Sequence, residues 1–494
     1  MMAATEPLSL LDAFFLYLES PATPMHTGSL AVFEGGPLRD RRGVLRMGPI
    51  RDGIAERLYL VPKLRRRVRF PVGALAAPVW VDDPDFDVTF HVRHVALPAP
   101  GSERELIDLC AELMAVPLDR ARPLWEMWFV EGLDGGRVAL VEKVHHALAD
   151  GLASVELATV LLDVERHPVL HHPARPWHPR RPPATATVVV GSAAHRAVCA
   201  LRAGAAAVGA LRDPAASARR GAQLVQALGT FATPATIAPR SALNVPVTQG
   251  RRLALVRQPL EPVRLVAHRL GVTINDVVLT AVTGGLRAHL ALLGRIEDDA
   301  SLRALVPVGA DHGGDHRLGN EVSALVVPLP VGIDDPVTRL RAVADAVGMR
   351  KGHHQALLAQ WLLGALEPVP PGLLAPLAPL VHRQRLCNLV VTNVPGPQFP
   401  LYALGARMLE VFPLLPLAGN LGIGVAVFSY DGQLTLGIVA DRDRVPSLDA
   451  LVGGIGGCFA ALEAVAAPVA AGPGVRRHDA PAPAAVGGRS VRAS

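Results

Sequence analysis

The run Val141-Glu-Lys-Val-His145-His146-Ala-Leu-Ala-Asp150-Gly151 constrains the fold more than any other stretch, because one periodicity gives way to another there. Before it, Arg137 to Val144 is rich in β-branched residues and partly alternates, as a strand does; after it, Leu152 to Leu162 repeats apolar residues at helical spacing. The segment is therefore a strand-to-helix connection of an α/β unit. Successive side chains at a strand end point to opposite faces, so His145 and His146 have different surroundings, one turned to a cavity and the other packed or hydrogen-bonded. Asp150 is placed to accept hydrogen bonds near the helix start, and Gly151 allows a backbone approach that a Cβ would obstruct. Such a turn can hold a neutral imidazole firmly enough to remove a proton from an alcohol or amine.

Paired histidines also occur as surface residues or core-edge hydrogen-bonders, and Asp150 suits a helix N-cap as well as a catalytic part. Two other pairs lack an Asp-Gly partner: His171-His172 in a Pro/Arg-rich stretch and His353-His354 after Arg350-Lys351. Metal ligation is disfavoured, since the motif lacks an i,i+4 histidine pair and no cysteine cluster completes a site.

Several further stretches accompany the motif: Leu8-Ser-Leu-Leu-Asp12, Glu19-Ser-Pro-Ala-Thr-Pro-Met25-His26, Pro78-Val-Trp80-Val-Asp82-Asp83-Pro84-Asp85-Phe86 and Pro123-Leu-Trp125-Glu126. Others follow at Gly271-Val-Thr-Ile-Asn275-Asp276, Gly319-Asn320-Glu-Val-Ser323, Thr392-Asn393-Val-Pro395-Gly396-Pro397, and Ser429-Tyr430-Asp431-Gly432 with Ala440-Asp441. On these residues the chain, from about residue 8 to about 465, resembles the bacterial bifunctional wax ester synthase/diacylglycerol acyltransferase family, which carries HHxxxDG. That motif alone is shared with other CoA-dependent acyltransferases and with peptide-synthetase condensation domains; the accompanying stretches narrow it. In the turn, Tyr430-Asp431-Gly432 stands where the family pattern has Tyr-Asn-Gly, a change that keeps the turn chemistry.

The resemblance implies two chloramphenicol-acetyltransferase-like mixed-sheet α/β domains, with the active site in a channel at their interface. It implies transfer of a long-chain acyl group from acyl-CoA to the hydroxyl of a diacylglycerol or a fatty alcohol. His146 is then the general base, His145 a supporting residue, and Asp150 with Gly151 keeps the motif in shape. Acyl-CoA is a co-substrate, and no cofactor or metal is implied. The alternatives are a condensation-type acyltransferase using another alcohol or amine, and a non-catalytic lipid-binding protein.

Asn275 and Asp276 interrupt an apolar element and need partners, either as supporting groups near the site or as a helix cap and core network; Gly284-Gly285 suggests a closely packed helix. Thr392 to Pro397 reads as a strand ending in a rigid turn. The glycines of Gly419-Asn420-Leu-Gly422-Ile-Gly424 lack nucleotide-binding spacing and instead let backbones or an acyl chain approach.

The net charge of +5 over 494 residues is small and gives no warrant for nucleic-acid binding. The basic run Lys63-Leu-Arg65-Arg66-Arg67-Val-Arg69 is either a solvated helix face or loop, or a contact for lipid headgroups or phosphates. The apolar stretches 356–366 and 373–380 are too short to span a bilayer and are either buried or interfacial. Four scattered cysteines, Cys110, Cys199, Cys387 and Cys458, and an N-terminus without a secretory pattern point to the cytoplasm, with peripheral contact at the inner membrane face or lipid inclusions in prospect.

Apolar residues make up 50% of the chain, enough for two cores. Composition divides the sequence into an N-terminal domain (1–165), a Pro/Arg-rich then Ala-rich helical connection (166–245), a C-terminal domain (246–470) and a disordered tail (471–494). Strands are expected at 29–33, 90–95, 138–144, 252–256, 303–308, 323–329, 388–392, 424–428 and 434–439, the last two forming a hairpin across Asp431-Gly432, with helices at 274–289 and 449–465.

Overall fold

The computed structural model describes residues 6–71, 77–148, 162–167, 177–194, 197–198, 201, 237–297, 300–309, 322–350 and 383–467. Asp150, Gly151, Cys199, the two decoy histidine pairs, the helical pattern 152–161, the apolar stretches 356–366 and 373–380, Gly319-Asn320 and the tail 471–494 lie outside these residues.

The first half runs β1 (Glu6–Pro7), α1 (Leu10–Leu18), β2 (His26–Phe33), α2 (Met47–Arg57), β3 (Arg66–Arg69), β4 (Val79–Asp82), α3 (Val88–His91), β5 (Val92–Ala96), α4 (Glu103–Ala115), β6 (Trp125–Glu131) and β7 (Val138–His145). A helix α5 (Thr185–Ala194) follows. The second half runs β8 (Arg251–Pro259), α6 (Leu260–Leu270), α7 (Ile274–Leu292), β9 (Leu302–Gly309), β10 (Val322–Leu329), α8 (Pro336–Arg350), β11 (Leu389–Pro395), β12 (Tyr402–Ala403), β13 (Ala406–Leu414), β14 (Ile423–Tyr430), β15 (Gln433–Asp441) and α9 (Asp449–Ala466).

Two six-stranded mixed sheets result, ordered β12-β13-β2-β7-β6-β5 and β10-β9-β11-β14-β15-β8, beside a small β1-β4-β3 sheet. The split does not follow the sequence halves. β12 and β13 come from the second half, yet β13 pairs antiparallel with β2 in the first-half sheet. Glycine makes this exchange sterically possible: a Cβ on Gly437 of β15 would stand 1.9 Å from the Pro413 carbonyl oxygen of β13. Arg257 of β8 reinforces it, pairing with Glu410 of β13 and Glu103 of α4 at 2.7 Å each.

The expected hairpin forms, with Tyr430 paired to Gln433 and both Asp431 (φ 45°) and Gly432 (φ 79°) in the left-handed region. Gly284 and Gly285 bring α7 against α9: a Cβ on Gly285 would lie 2.5 Å from the Leu451 carbonyl oxygen. The buried side of α9 joins the core around α7, although α9 is long and apolar enough by composition to cross a membrane. Gly424 likewise admits Leu415, whose Cδ1 a Cβ would meet at 2.3 Å.

Two expectations are corrected. The strand foreseen at 90–95 begins as a helical turn, because Asp87 accepts from the Thr89 N–H at 2.8 Å and caps it; the strand itself starts at Val92. The basic run is neither a solvated helix face nor a free cationic patch. It passes through a 3-10 turn into β3, where carboxylates face it: Lys63 and Arg66 pair with Glu6 at 3.2 and 2.7 Å, Arg66 with Asp82 at 3.1 Å, and Arg67 with Asp83 at 3.7 Å. Arg69 donates to the Pro183 carbonyl and the Thr185 hydroxyl at the start of α5.

Candidate functional site

β7 ends between two anchors. The His145 N–H donates to the Leu124 carbonyl at 3.0 Å, and the His146 N–H donates to the Met25 carbonyl at 2.8 Å. His26 is opposite His145 in the β2–β7 ladder; the strand ends there, and His146 opens a turn closed by the Leu148 N–H donating to the His145 carbonyl at 2.8 Å.

The His145 ring is fully buried, and its Nδ1 accepts the Ala147 N–H at 3.0 Å. A neutral ring must then carry its proton on Nε2, which lies 3.6 Å from Oε1 of Glu19. Burial, with smaller contributions from the Arg120 and His146 charges, pushes its pKa down to about 3, so the ring is neutral. The turn therefore occupies the one lone pair of the neutral His145 ring. The His146 ring is partly buried and stacks on Phe15 of α1, with centroids 4.1 Å apart and planes inclined by 23°.

Glu19, at the C-cap of α1, ties this arrangement together. Its Oε1 accepts the Met25 N–H at 3.1 Å, and its Oε2 accepts from Arg120 at 2.7–2.8 Å. Arg120 also donates to the Leu16 carbonyl at 2.6 Å. One carboxylate and one guanidinium therefore fix both the helix end that carries Phe15 and the residue whose carbonyl holds His146. From the second half, Arg251 of β8 donates to the Ala22 carbonyl of the same loop at 2.7 Å.

Beneath His145, Lys143 and His26 serve the C-terminal carbonyls of α4. Lys143 Nζ donates to Val116 at 2.8 Å and His26 Nε2 contacts the Met114 oxygen at 3.0 Å. Burial lowers both pKa values, and Glu126, 3.8 Å from Lys143, partly offsets this for the lysine. Trp125 of the Pro-Leu-Trp stretch is scaffold: its indole donates to the Leu64 carbonyl at 2.7 Å and its ring stacks on His91.

Asn275 and Asp276 lie in the other half, at the start of α7. Asp276 completes a capping box with Thr273, accepting from its hydroxyl at 2.7 Å and its N–H at 2.9 Å. Asn275 accepts from Asn393 of β11 at 3.3 Å, joining helix to sheet. Asp441 of the Ala-Asp stretch accepts the Thr248 hydroxyl at 3.0 Å and the Asp443 and Arg444 N–H groups at 2.9 and 3.1 Å. The sequence reading assigned no part to Phe15, Glu19, Arg120 or Ser29, and none to Glu142 as an individual residue. Two of them gave a signal: Glu19 opens the stretch that runs to His26, and Glu142 is a charged residue within an apolar strand.

Two mixed sheets joined by an exchanged strand form a fold shared with solved structures of an acyltransferase and of condensation domains. A wax ester synthase/diacylglycerol acyltransferase from Marinobacter aquaeolei superposes with a TM-score of 0.67 at 26% identity, covering 93% of this chain and 99% of that one. The first condensation domain of the calcium-dependent antibiotic synthetase shares the fold at a TM-score of 0.58 and 15% identity, covering 94% and 96%.

The chain belongs to the wax ester synthase/diacylglycerol acyltransferase family: its catalytic-domain model matches residues 8–278 and its C-terminal-domain model residues 318–463. A probable diacylglycerol O-acyltransferase of Mycobacterium tuberculosis is 36% identical over 463 residues, spanning 93% of this chain and 96% of that protein. A second, putative one from the same organism is 35% identical over 460 residues, spanning 90% and 88%.

Proposed function

We propose that this enzyme transfers a long-chain acyl group from acyl-CoA to the hydroxyl of a diacylglycerol or a long-chain alcohol, with His146 as general base. The observation that carries the residue assignment is the division of labour between the rings. The Nδ1 lone pair of His145 is held by the Ala147 N–H, while the His146 ring is stacked against Phe15. His146 takes the acceptor proton as the oxygen attacks the thioester carbonyl; the carbon–sulfur bond then breaks and the imidazolium returns the proton to the CoA sulfur. The products are an ester and free CoA. Acyl-CoA enters as co-substrate, and the reaction as written needs no other group.

The names of the mycobacterial relatives favour diacylglycerol as the acceptor. A lipid acceptor and a CoA-linked donor meet at a cytoplasmic lipid surface, and we place the enzyme there as a peripheral protein; the described cysteines, Cys110, Cys387 and Cys458, are free thiols. Flotation with anionic liposomes tests this placement, and no association at low salt would end it. The catalytic assignment is tested by CoA release from palmitoyl-CoA, with diacylglycerol or hexadecanol supplied in turn and the lipid product identified. Acceptor-dependent release by the wild type and none by His146→Ala is expected; full activity in the variant would falsify the base assignment.

A further inference from the structure

A cleft of about 420 Å³ opens where α4 of the first half meets β8 of the second, a size within the roughly 300–1,000 Å³ of small-molecule sites. Its lining carries charged side chains that the acyl-transfer chemistry does not use. One wall is the C-terminal half of α4, with Asp108 and Glu112 one turn apart on the same face. The other is the segment from Gln249 to Arg252, which enters β8, together with Arg442 just after β15.

The three arginines are committed differently. Arg251 is buried and donates to the Thr248, Gly250 and Ala22 carbonyls at 2.5, 3.2 and 2.7 Å, so it serves the protein itself. The Nε of Arg252 is buried with no acceptor among the described residues, a costly state for a donor unless something else accepts from it. Arg442 lies along Gly250: its N–H donates to the Gly250 carbonyl at 3.1 Å, and a Cβ on that glycine would meet its Nε at 3.0 Å and its Nη2 at 3.2 Å. Among the described residues Arg442 pairs with its exposed neighbour Asp443 at 3.8 Å, and Asp108 with Arg104 of its own helix at 4.0 Å. Opposite charges thus face each other across the cleft without closing into an ion pair. Both walls are tied to the histidine turn. Arg251 holds the Ala22 carbonyl in the loop of Met25, whose own carbonyl holds the His146 N–H at 2.8 Å. Ala115 lines the cleft, and the carbonyl of Met114 beside it meets Nε2 of His26, opposite His145, at 3.0 Å.

We propose that this cleft binds a phosphorylated group, with the phosphate on Arg252 and Arg442 and hydroxyl or amine donors of the same ligand on Asp108 and Glu112. A bare anion meets two carboxylates and a simple cation meets two arginines; a ligand carrying both kinds of group satisfies both walls. Two ligands of an acyl transfer at a lipid surface have this chemistry. One is the nucleotide end of acyl-CoA, with its phosphates, ribose hydroxyl and amino group; the other is a zwitterionic phospholipid headgroup. The choice of these two rests on the acyl-transfer reading, whereas the chemistry of the cleft does not.

The test is calorimetric titration of the full chain with adenosine 3′,5′-bisphosphate, glycerophosphoethanolamine and inorganic phosphate, for wild type, the double variant Arg252→Gln/Arg442→Gln, Glu112→Gln and Gly250→Ala. One of the first two ligands is expected to bind wild type, and to bind the double variant about tenfold more weakly. Gly250→Ala should weaken it severalfold, because the added methyl displaces the Arg442 guanidinium. Glu112→Gln should weaken that ligand yet strengthen inorganic phosphate. Wild type binding neither ligand, equal affinity in the double variant, or inorganic phosphate bound as tightly as either ligand would overturn the proposal. The source is read from KM in the double variant: a rise of about tenfold for palmitoyl-CoA and none for palmitoyl-pantetheine assigns the cleft to the nucleotide. Glycerophosphoethanolamine binding with both KM values unchanged assigns it to a headgroup, and equal rises for the two donors count against the proposal. Ligand binding without ester formation would end the acyl-transfer reading and leave the cleft standing, whereas ester formation with neither ligand bound ends this proposal alone.

Discussion

The ring of His146 lies nearly parallel to that of Phe15, their centroids 4.1 Å apart. The stack fixes which way the imidazole faces, while the Met25 carbonyl fixes the backbone beneath it at 2.8 Å. Replacing Phe15 by Leu keeps most of the apolar contact but removes the flat surface. A loss of about tenfold in kcat, with little change in KM for acyl-CoA, is expected from the loosened ring. Steady-state kinetics check this, and an altered KM with unchanged kcat would contradict it.

Glu19 and Arg120 act on the same imidazole through Met25 and the end of α1. Glu19→Gln and Arg120→Met should each lower kcat by about tenfold, and the double variant should be no worse than either alone, because each breaks the same unit. Additive losses in the double-mutant cycle would mean that the two residues serve separate purposes.

The buried neutral His145 makes stability fall on acidification. Its folded pKa, about 3, lies below the unfolded value of about 6.5, so its contribution is complete above pH 6.5 and is lost as the pH falls toward 3. Between pH 7 and pH 5 the loss attributable to this residue is about 2 kcal/mol. Urea midpoints at both pH values should show wild type losing about that much more than His145→Asn. Glu142, raised to about 7, shifts stability the opposite way over its own range but is common to both proteins and cancels in the comparison. Equal acid sensitivity would show that the ring is solvated.

Asp276 is accounted for by its capping box, so its removal should weaken α7 rather than the chemistry. Asp276→Ala is expected to cost about 1 kcal/mol in unfolding free energy and to leave kcat of the folded fraction close to wild type. A kcat loss without destabilisation would move Asp276 into the site.

The close passage of β13 over β15 predicts a severe effect at Gly437, where the obstacle to a Cβ is backbone. Gly437→Ala should destabilise by about 3 kcal/mol, since neither strand can yield without breaking its ladder. Gly457, where a Cβ meets nothing within 4 Å, provides the control: Gly457→Ala should leave stability unchanged or slightly raised.

Local chemistry made much of this molecule legible from the chain. Asp431-Gly432 specified a hairpin and Gly284-Gly285 announced a tightly packed helix, because each depends on neighbours a few residues away. The family itself was readable from residue patterns spread along the chain. Tertiary structure alone decided the rest. The lone pair of His145 is filled only because the turn brings the Ala147 N–H to it. Glu19 meets Arg120 across 101 residues, and Glu142 meets Ser29 across 113. β13 leaves its own half to join β2. Desolvation, which neutralises His145 and raises Glu142, is a property of everything packed around a group, and no local pattern in the sequence encodes that surrounding volume.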